Sequence, residues 1–407
     1  MALLCFIFIF INMGTLNSLG VFMPSLVKET GYTTAQISLM FTFAGVGAAL
    51  TGMTITPHAL KKIGEKNCML CTVMLTACHL LIYSFTSQLA VLYLGALIAG
   101  IAIGIGLYAA CSAIIGNWFI KNRLTVLSII SAGSGTGSAF INMFSGQSIV
   151  AIGYRSTYRI LAIMVIAVGL VIYFLIKNKP EDIGQNALQD DVMAEMQGDK
   201  AEADGITIKE ALKGPSFYML FAAAVLGSVA WTGINMYLIT LISSNYGMPV
   251  NVATRYDALL RICVVVFLLV GGRIVEKIGI RAYVLFVGIC MSVGITIIVL
   301  TGSSLIGIPV LLAAVMIMIS VGGSHGNANN QMLANNVFGR KDFRTIQAYL
   351  VSGGNTGIAL SAILARPWIG DDGSTLGCFK LFLICTLVWL ILVLMAIRMT
   401  PYKKNIK

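Results

Sequence analysis

The sequence predicts an all-α membrane protein with twelve transmembrane helices in two pseudo-repeated six-helix bundles. Three observations predict this fold class: the composition, the length of the apolar runs, and a repeat between the two halves of the chain. Hydrophobic residues make up 58% of the 407 residues and charged residues only 11%, with a mean hydropathy of +0.90. Because about a quarter of the residues in soluble domains are charged, this composition indicates an integral membrane protein.

Twelve apolar runs are long enough, or nearly so, to cross a hydrocarbon layer of about 30 Å as helices. The predicted spans are 2–25, 34–56, 67–86, 89–115, 124–149, 158–177, 216–243, 253–272, 282–301, 307–336, 345–364 and 376–397. The first run lacks a positively charged leader, and we interpret it as the first span rather than a removable signal.

Basic residues are distributed unevenly between alternate loops. With both termini in the cytoplasm, the short inside loops contain Lys61, Lys62, Lys66, Lys121, Arg123, Arg273, Lys277, Arg281, Arg340, Lys341 and Arg344. The outside loops contain only Lys28, Arg155, Arg159, Arg255 and Arg366. This is the positive-inside pattern, and it predicts a multi-pass protein of the cell membrane with both termini cytoplasmic. The net charge of +11 therefore reflects topology and contact with anionic lipid rather than a nucleic-acid partner.

One long polar stretch, 178–215, separates the spans into two groups of six. It contains most of the acidic residues and few bulky apolar ones, which predicts a flexible cytoplasmic linker with a short helix near 208–212. The predicted domains are a six-helix bundle over 1–177, the linker over 178–215, a second six-helix bundle over 216–398, and a cytoplasmic tail over 399–407.

The two halves repeat one another at an offset of about 215 to 220 residues. Lys121, Thr125, Gly133, Thr136, Gly137 and Ala139 recur as Lys341, Thr345, Gly353, Thr356, Gly357 and Ala359, and Lys62-Ile63-Gly64 recurs as Lys277-Ile278-Gly279. The first spans match loosely, with Asn17 against Asn235 and Gly31 against Gly247. A repeated six-span half is typical of secondary transporters, whose substrate site lies near the midplane between the halves.

The eighth predicted span contains a buried charge, Arg261. Twelve residues of helix separate it from Arg273 at the membrane surface, which places it about 18 Å deep, near the middle of the hydrocarbon layer. A guanidinium at that depth costs at least ~2.5 kcal/mol, so we expect it to face protein, water or a ligand. Asp257 lies one turn away and within pairing reach. A structural ion pair that holds span eight to a neighbour is the alternative to substrate binding.

Asp257 is the predicted proton-coupling residue. Burial favours its neutral form, whereas Arg261 favours the carboxylate. An anionic substrate at Arg261 would take part of that stabilisation, so substrate and proton would bind cooperatively. Exchange of one anion for another is the alternative if Asp257 has only a structural role.

The loop from Gly272 to Arg281, GRIVEKIGIR, resembles the Gly-x-Leu-x-Asp-Arg-x-Gly-Arg loop of the major facilitator superfamily. The first copy departs from that pattern, with Pro57 at the glycine position and Lys61 at the aspartate position. Within the superfamily, the stretch from Gly104 to Gly137 resembles the oxalate/formate antiporter and monocarboxylate transporter branch. Residues 178–184, 209–217 and 338–339 also fit that branch.

The branch resemblance implies transport of small organic anions by alternating access, with a proton or by exchange. It also implies a cation in span eight, although Arg261 lies one or two turns farther toward the outside than the arginine of the branch. The oxalate/formate antiporters have a second cation, a lysine in span eleven, where this chain has no Lys or Arg from 346 to 364 and Asn355 lies near that position. The missing cation favours a monoanionic or neutral substrate over a dianion.

Four further residues are candidates for substrate binding. Tyr108 matches a cavity tyrosine of the branch, with interhelical packing as the alternative. His325 begins a polar run in span ten that is too costly to face lipid, so we expect it to face a cavity or another helix. Asn17 and Asn235 are polar residues within spans, and hydrogen bonding between helices is the alternative for both.

These features predict a secondary active transporter rather than an enzyme. The three histidines are scattered, and the sequence has no nucleotide-binding loop, so we expect no catalytic site, metal or cofactor. The predicted partners are an anionic small molecule, a proton or counter-anion, and membrane lipid, with no nucleic acid and a monomeric state. A transporter of neutral solutes or drugs, a channel, and a non-transporting solute sensor of the same fold are the alternatives.

Overall fold

The computed structural model describes residues 1–119, 123–180, 184, 205–323, 333–334, 336–339 and 341–400, and nearly all of them are helical. The helices are α1 (Ala2–Leu16), α2 (Leu19–Thr30), α3 (Thr34–Leu50), α4 (Thr56–Ile63), α5 (Glu65–Phe85), α6 (Leu89–Ala102), α7 (Tyr108–Trp118), α8 (Arg123–Ile152), α9 (Tyr154–Leu175), α10 (Ile208–Ala211), α11 (Pro215–Thr240), α12 (Val250–Thr301), α13 (Pro309–Gly322), α14 (Phe343–Ala365) and α15 (Leu376–Arg398).

Each predicted span coincides with helical structure, although the structure describes only part of 307–336. Within the described ranges, seven helical stretches are long and apolar enough to cross a membrane: Ala2–Thr30, Glu65–Phe85, Leu89–Trp118, Tyr154–Leu175, Pro215–Asn245, Lys277–Leu305 and Leu376–Arg398. The predicted all-α membrane fold is therefore confirmed.

Short π-helical segments continue three of the helices. Thr51–Ile55 joins α3 to α4, Ile103–Leu107 joins α6 to α7, and Leu241–Asn245 follows α11. The first two segments are linked, because the Thr56 hydroxyl contacts both the Thr51 carbonyl, at 3.0 Å, and the Gly104 carbonyl, at 2.6 Å. A π-turn leaves a backbone carbonyl without its usual partner, and a neighbouring hydroxyl satisfies that need.

The backbone reproduces the sequence repeat at two pairs of glycines. Gly31 and Gly247 end the first helical stretch of each half with φ values of 75° and 76°. Gly64 separates α4 from α5 with φ 79°, and Gly279 interrupts α12 with φ 78°. Residues with a Cβ rarely adopt this left-handed conformation, so each glycine fixes a chain break at the same place in its half.

Glycines also bring helices into backbone contact at equivalent places. A Cβ at Gly133 would lie 2.9 Å from the Phe6 carbonyl oxygen, and one at Gly137 would collide with the Phe10 carbonyl group, so α8 packs directly on α1. In the second half, a Cβ at Gly357 would collide with the Val225 carbonyl group, so α14 packs in the same way on α11. Such close approach increases the van der Waals contact that holds membrane helices together.

Residues at both ends of the 178–215 stretch form hydrogen bonds. Asn178 accepts a hydrogen bond from the Lys66 backbone N–H at 3.1 Å and its carbonyl accepts from the Asn117 side chain at 3.1 Å. The predicted short helix is α10, which begins with a capping box: the Glu210 backbone N–H donates to the Thr207 hydroxyl, and the Thr207 backbone N–H donates to the Glu210 carboxylate. That backbone hydrogen bond lowers the pKa of Glu210.

By its contacts the chain divides into two compact units. One comprises Met1–Met196 and Met248–Ile262, and the other comprises Gln197–Gly247 and Cys263–Lys407. Met248–Ile262, which includes the beginning of α12, belongs to the first unit. Asp257 and Arg261 are therefore held by the same unit as α1 to α9.

Substitution of Gly137 by alanine tests the close packing of α8 on α1. We expect Gly137→Ala to lower the free energy of unfolding by about 1–3 kcal/mol, because the added Cβ forces two backbones apart. Gly52→Ala is the matched control, since a Cβ at Gly52 has no neighbour within 4 Å. Thermal unfolding of both variants in detergent measures the difference. Equal unfolding temperatures for the two variants would contradict the packing argument.

Candidate functional site

Asp257 and Arg261 form a buried ion pair on α12. The Arg261 Nε donates to the Asp257 Oδ2 at 2.8 Å, across the one-turn spacing that the sequence predicts. Asp257 is 0% exposed and Arg261 8% exposed, so both charges are almost fully withdrawn from solvent. Withdrawing an ion pair costs several kcal/mol per ion, and this cost is recovered only when further hydrogen bonds satisfy both groups.

Asn142 on α8 supplies one of those hydrogen bonds. Its side-chain amide donates to the same Asp257 oxygen, Oδ2, at 2.7 Å, and the Asn142 side chain is itself buried. Asn142 is not among the site residues predicted from the sequence. Asn142 connects α8 to the beginning of α12 through a charge-assisted hydrogen bond, which is stronger than a bond between neutral groups.

The other carboxylate oxygen of Asp257 is unpartnered. Both donors converge on Oδ2, whereas Oδ1 is buried and has no hydrogen-bond partner among the described residues. The Asn142 Oδ1 is also buried and has no hydrogen-bond partner among the described residues. A buried acceptor without a partner costs about 1–3 kcal/mol, so this oxygen favours a donor from a ligand or water.

A row of polar residues on α8 meets two of the predicted site residues, Asn17 and Asp257. Ser134, Ser138 and Asn142 follow one another at four-residue intervals, so they lie about 6 Å apart along one face of the helix. Ser138 accepts a hydrogen bond from the Asn17 side chain at 3.1 Å, and Asn142 donates to Asp257 at 2.7 Å.

The helical backbone fixes the orientation of this row. The Ser138 hydroxyl donates to the Ser134 carbonyl at 2.7 Å, so its oxygen remains available to accept from Asn17. One turn beyond Asn142, Gly146 allows Thr254 of α12 to approach, because a Cβ at Gly146 would lie 2.7 Å from the Thr254 Cγ2. α8 therefore contacts Asn17 and Asp257 at successive turns.

The remaining candidates are not brought to this row by any described contact. Tyr108 is 36% exposed and lies at the beginning of α7. Asn235 donates to the Trp231 carbonyl of its own helix at 2.7 Å, and Asn355 lies exposed on α14, both in the second unit. His325 lies outside the described residues.

The sequence contains a signal for the three missed residues. Ser134, Ser138 and Asn142 recur every fourth residue in an apolar span, and this spacing places them on one helix face. As for metals, the described ranges contain no group of three or more His, Cys, Asp or Glu side chains close enough to hold an ion.

Removal of the Asp257 carboxylate tests how far the pair stabilises the fold. We expect Asp257→Ala to lower the free energy of unfolding by about 3–5 kcal/mol, because it leaves Arg261 as a buried charge without its partner. The control is Glu29→Ala, which breaks the exposed Arg155–Glu29 pair of 3.1 Å and should cost no more than about 1 kcal/mol. Thermal unfolding in detergent measures the stability of the Asp257→Ala and Glu29→Ala variants. An equal effect of the two substitutions would show that the buried pair is no more important than a surface pair.

Comparisons with known proteins agree with this fold. The family model described as "Major Facilitator Superfamily" matches residues 5–260, whereas no curated protein matches the chain. Among solved structures, the chain is similar to the nucleoside transporter NupG, with a TM-score of 0.71, 15% identity, and 99% of each chain covered.

Two further structures are similar over nearly their whole length. A bacterial homolog to the human lysosomal transporter Spinster has a TM-score of 0.72 and 16% identity, with 98% of this chain and 96% of that chain covered. The peptide transporter POT in complex with sulfate has a TM-score of 0.74 and 12% identity, with 99% and 96% covered. These identities show a shared fold alone. Because the family model covers more than half of the sequence, the chain belongs to the major facilitator superfamily of multi-pass membrane transporters.

Proposed function

We propose that this transporter moves a small organic anion, a monocarboxylate, by alternating access, and that Arg261 binds the substrate carboxylate. The observation on which the proposal depends is the burial of Arg261 near the middle of a predicted span. The Arg261 Nε donates to Asp257, and the donors on the two terminal nitrogens have the fork geometry that fits a carboxylate. Family membership favours solute binding over catalysis as the purpose of this charge.

The charges of the pair favour a monoanion. Arg261 and Asp257 together are neutral, so a bound monocarboxylate would add one uncompensated negative charge to a buried site. A proton on Asp257 would restore neutrality, and the unpartnered Oδ1 is an atom on which that proton would fit. A dianion would leave a negative charge even then. This reasoning supports proton symport, with exchange against a counter-anion as the alternative.

The polar row on α8 supplies further groups for recognition. In the proposal, Tyr108 and Asn17 line the path of the substrate and Asn142 orients the Asp257 carboxylate. Asn235, Asn355 and His325 remain candidates from the sequence. The proposal also retains the predicted domains, in which bundles 1–177 and 216–398 move about a site near the midplane while 178–215 connects them, with both termini cytoplasmic.

A neutral substrate is the second candidate. It is favoured by the short 2.8 Å contact between Arg261 and Asp257, because a fully neutralised pair attracts no anion. Uptake of labelled solutes into proteoliposomes separates the candidates: accumulation of a monocarboxylate against its gradient supports the proposal, and accumulation of only sugars or nucleosides supports the neutral alternative. Ligand binding without flux would indicate a sensor.

Substitution of Arg261 tests its role in binding. We expect Arg261→Gln to weaken binding of short monocarboxylates such as lactate and pyruvate by at least roughly tenfold, because charge-assisted hydrogen bonds to carboxylates contribute about 1.5–3 kcal/mol. Arg261→Lys should recover little of this affinity, since an ammonium does not bind two oxygens in a planar fork. Affinity is measured by ligand-induced shifts of the unfolding temperature.

The matched control is Arg255→Gln, which removes an exposed arginine from the same helix. It should leave the affinity unchanged. Size-exclusion chromatography verifies that each variant is folded before binding is measured. Wild-type affinity in Arg261→Gln would refute the assignment of Arg261 as the substrate-binding cation.

The dependence of binding on pH tests coupling at Asp257. We expect monocarboxylate affinity to increase as pH falls, because a proton on Asp257 frees Arg261 and keeps the buried site neutral. Asp257→Asn, which mimics the protonated side chain, should bind at all pH values with an affinity that no longer depends on pH. The monocarboxylate affinity of wild type and of Asp257→Asn is measured at a series of pH values from acidic to neutral. A pH dependence that persists in Asp257→Asn would place the proton elsewhere.

A further inference from the structure

The surface of the first unit contains an apolar groove between α5, α6 and α9. Its volume is about 490 Å³. It is lined by Met74, Ala77, Cys78, Leu81, Ile82, Phe85, Thr86, Val91 and Ile166. Most of these side chains come from a single stripe on α5, and Met74 and Phe85 are more than half exposed. The groove is separate from the Asp257 and Arg261 pair on α12.

The groove has the length of one lipid leaflet. Met74 and Phe85 are eleven residues apart on α5, which corresponds to about 16 Å along the helix axis. Half of a hydrocarbon layer of about 30 Å is about 15 Å. The groove thus extends from the membrane boundary at the end of α5 to the middle of the bilayer, as an acyl chain does.

An arginine stands at the boundary end of the groove. The Arg159 Nε donates to the Ser84 hydroxyl at 3.0 Å, and its guanidinium carbon lies 4.8 Å from the centre of the Phe85 ring. Ile166, on the same helix as Arg159, lines the groove two turns deeper. Ser84 and Phe85 therefore hold the cation at the end of α5 that is predicted to lie at the membrane boundary.

Arg159 has no carboxylate partner among the described residues, and its side chain is exposed. Its neighbour Arg155 differs, because it pairs with Glu29 at 3.1 Å and donates to the Ser87 hydroxyl at 2.7 Å. A cation beside an apolar groove, without an acidic partner from the protein, complements a ligand that has a negative head and a hydrocarbon tail.

We propose that this groove binds one anionic phospholipid, with an acyl chain along α5 and the phosphate at Arg159. A zwitterionic phosphatidylcholine is less favourable, since its ammonium group would lie near both Arg159 and Arg155. Phosphatidylglycerol has the required phosphodiester charge without an ammonium group. The lipid would be a specifically bound one rather than one of the many that contact the apolar surface.

Native mass spectrometry of the full-length protein in detergent tests the proposal, with phosphatidylglycerol and phosphatidylcholine of the same acyl chains added separately. Wild type should retain one phosphatidylglycerol more tightly than phosphatidylcholine. Arg159→Gln should weaken phosphatidylglycerol binding at least roughly fivefold, the effect of losing ~1 kcal/mol of attraction at a membrane surface, and should reduce the preference for phosphatidylglycerol over phosphatidylcholine. Arg159→Lys should keep the preference, because it keeps the charge.

Two controls separate the parts of the site. Arg366→Gln removes another exposed arginine that does not line the groove, and it should not change lipid binding. Cys78→Trp fills the groove and should weaken both lipids. Equal retention of the two lipids by wild type, or unchanged phosphatidylglycerol binding by Arg159→Gln, would overturn the proposal. Stabilisation of wild type by inorganic phosphate alone that is lost in Arg159→Gln would also overturn it, because it would indicate a site for soluble anions.

Discussion

The Asp257 carboxylate is the group on which the site depends. One of its oxygens accepts from Arg261 at 2.8 Å and from Asn142 at 2.7 Å, so a single buried atom holds together two helices and a guanidinium. Its second oxygen is unpartnered within the described part of the chain. Pairing with Arg261 neutralises a charge that is costly to bury in a membrane, and one oxygen of the carboxylate is left without a donor among the described residues.

α8 connects this cluster to the architecture of the first unit. Gly133 and Gly137 let it pack against the backbone of α1, and Ser138 and Asn142 hydrogen-bond with other helices. One helix thus combines close packing with polar contacts. Because small residues occupy the packing face, polar side chains can be presented without opening a gap between helices.

α14, the counterpart of α8 in the second half, has the packing glycines of α8 but not its polar side chains. At an offset of 220 residues, Gly353 and Gly357 correspond to the two packing glycines, and both contact α11. The positions that correspond to Ser134, Ser138 and Asn142 are Gly354, Ile358 and Ala362, which have no hydrogen-bonding side chain. Packing constrains both halves alike because each must exclude lipid between its helices, whereas the polar contacts of Ser138 and Asn142 belong to the first half.

The sequence by itself determined the membrane fold, the repeat and the Asp257–Arg261 pair, because hydropathy, glycine spacing and a one-turn separation are local properties of the chain. Only the tertiary structure identified Asn142 as the third member of the cluster and assigned Met248–Ile262 to the first unit. Asn142 and Asp257 are 115 residues apart, and no local pattern pairs them. Tertiary packing decides such contacts, since a buried carboxylate requires donors from whichever helix lies against it.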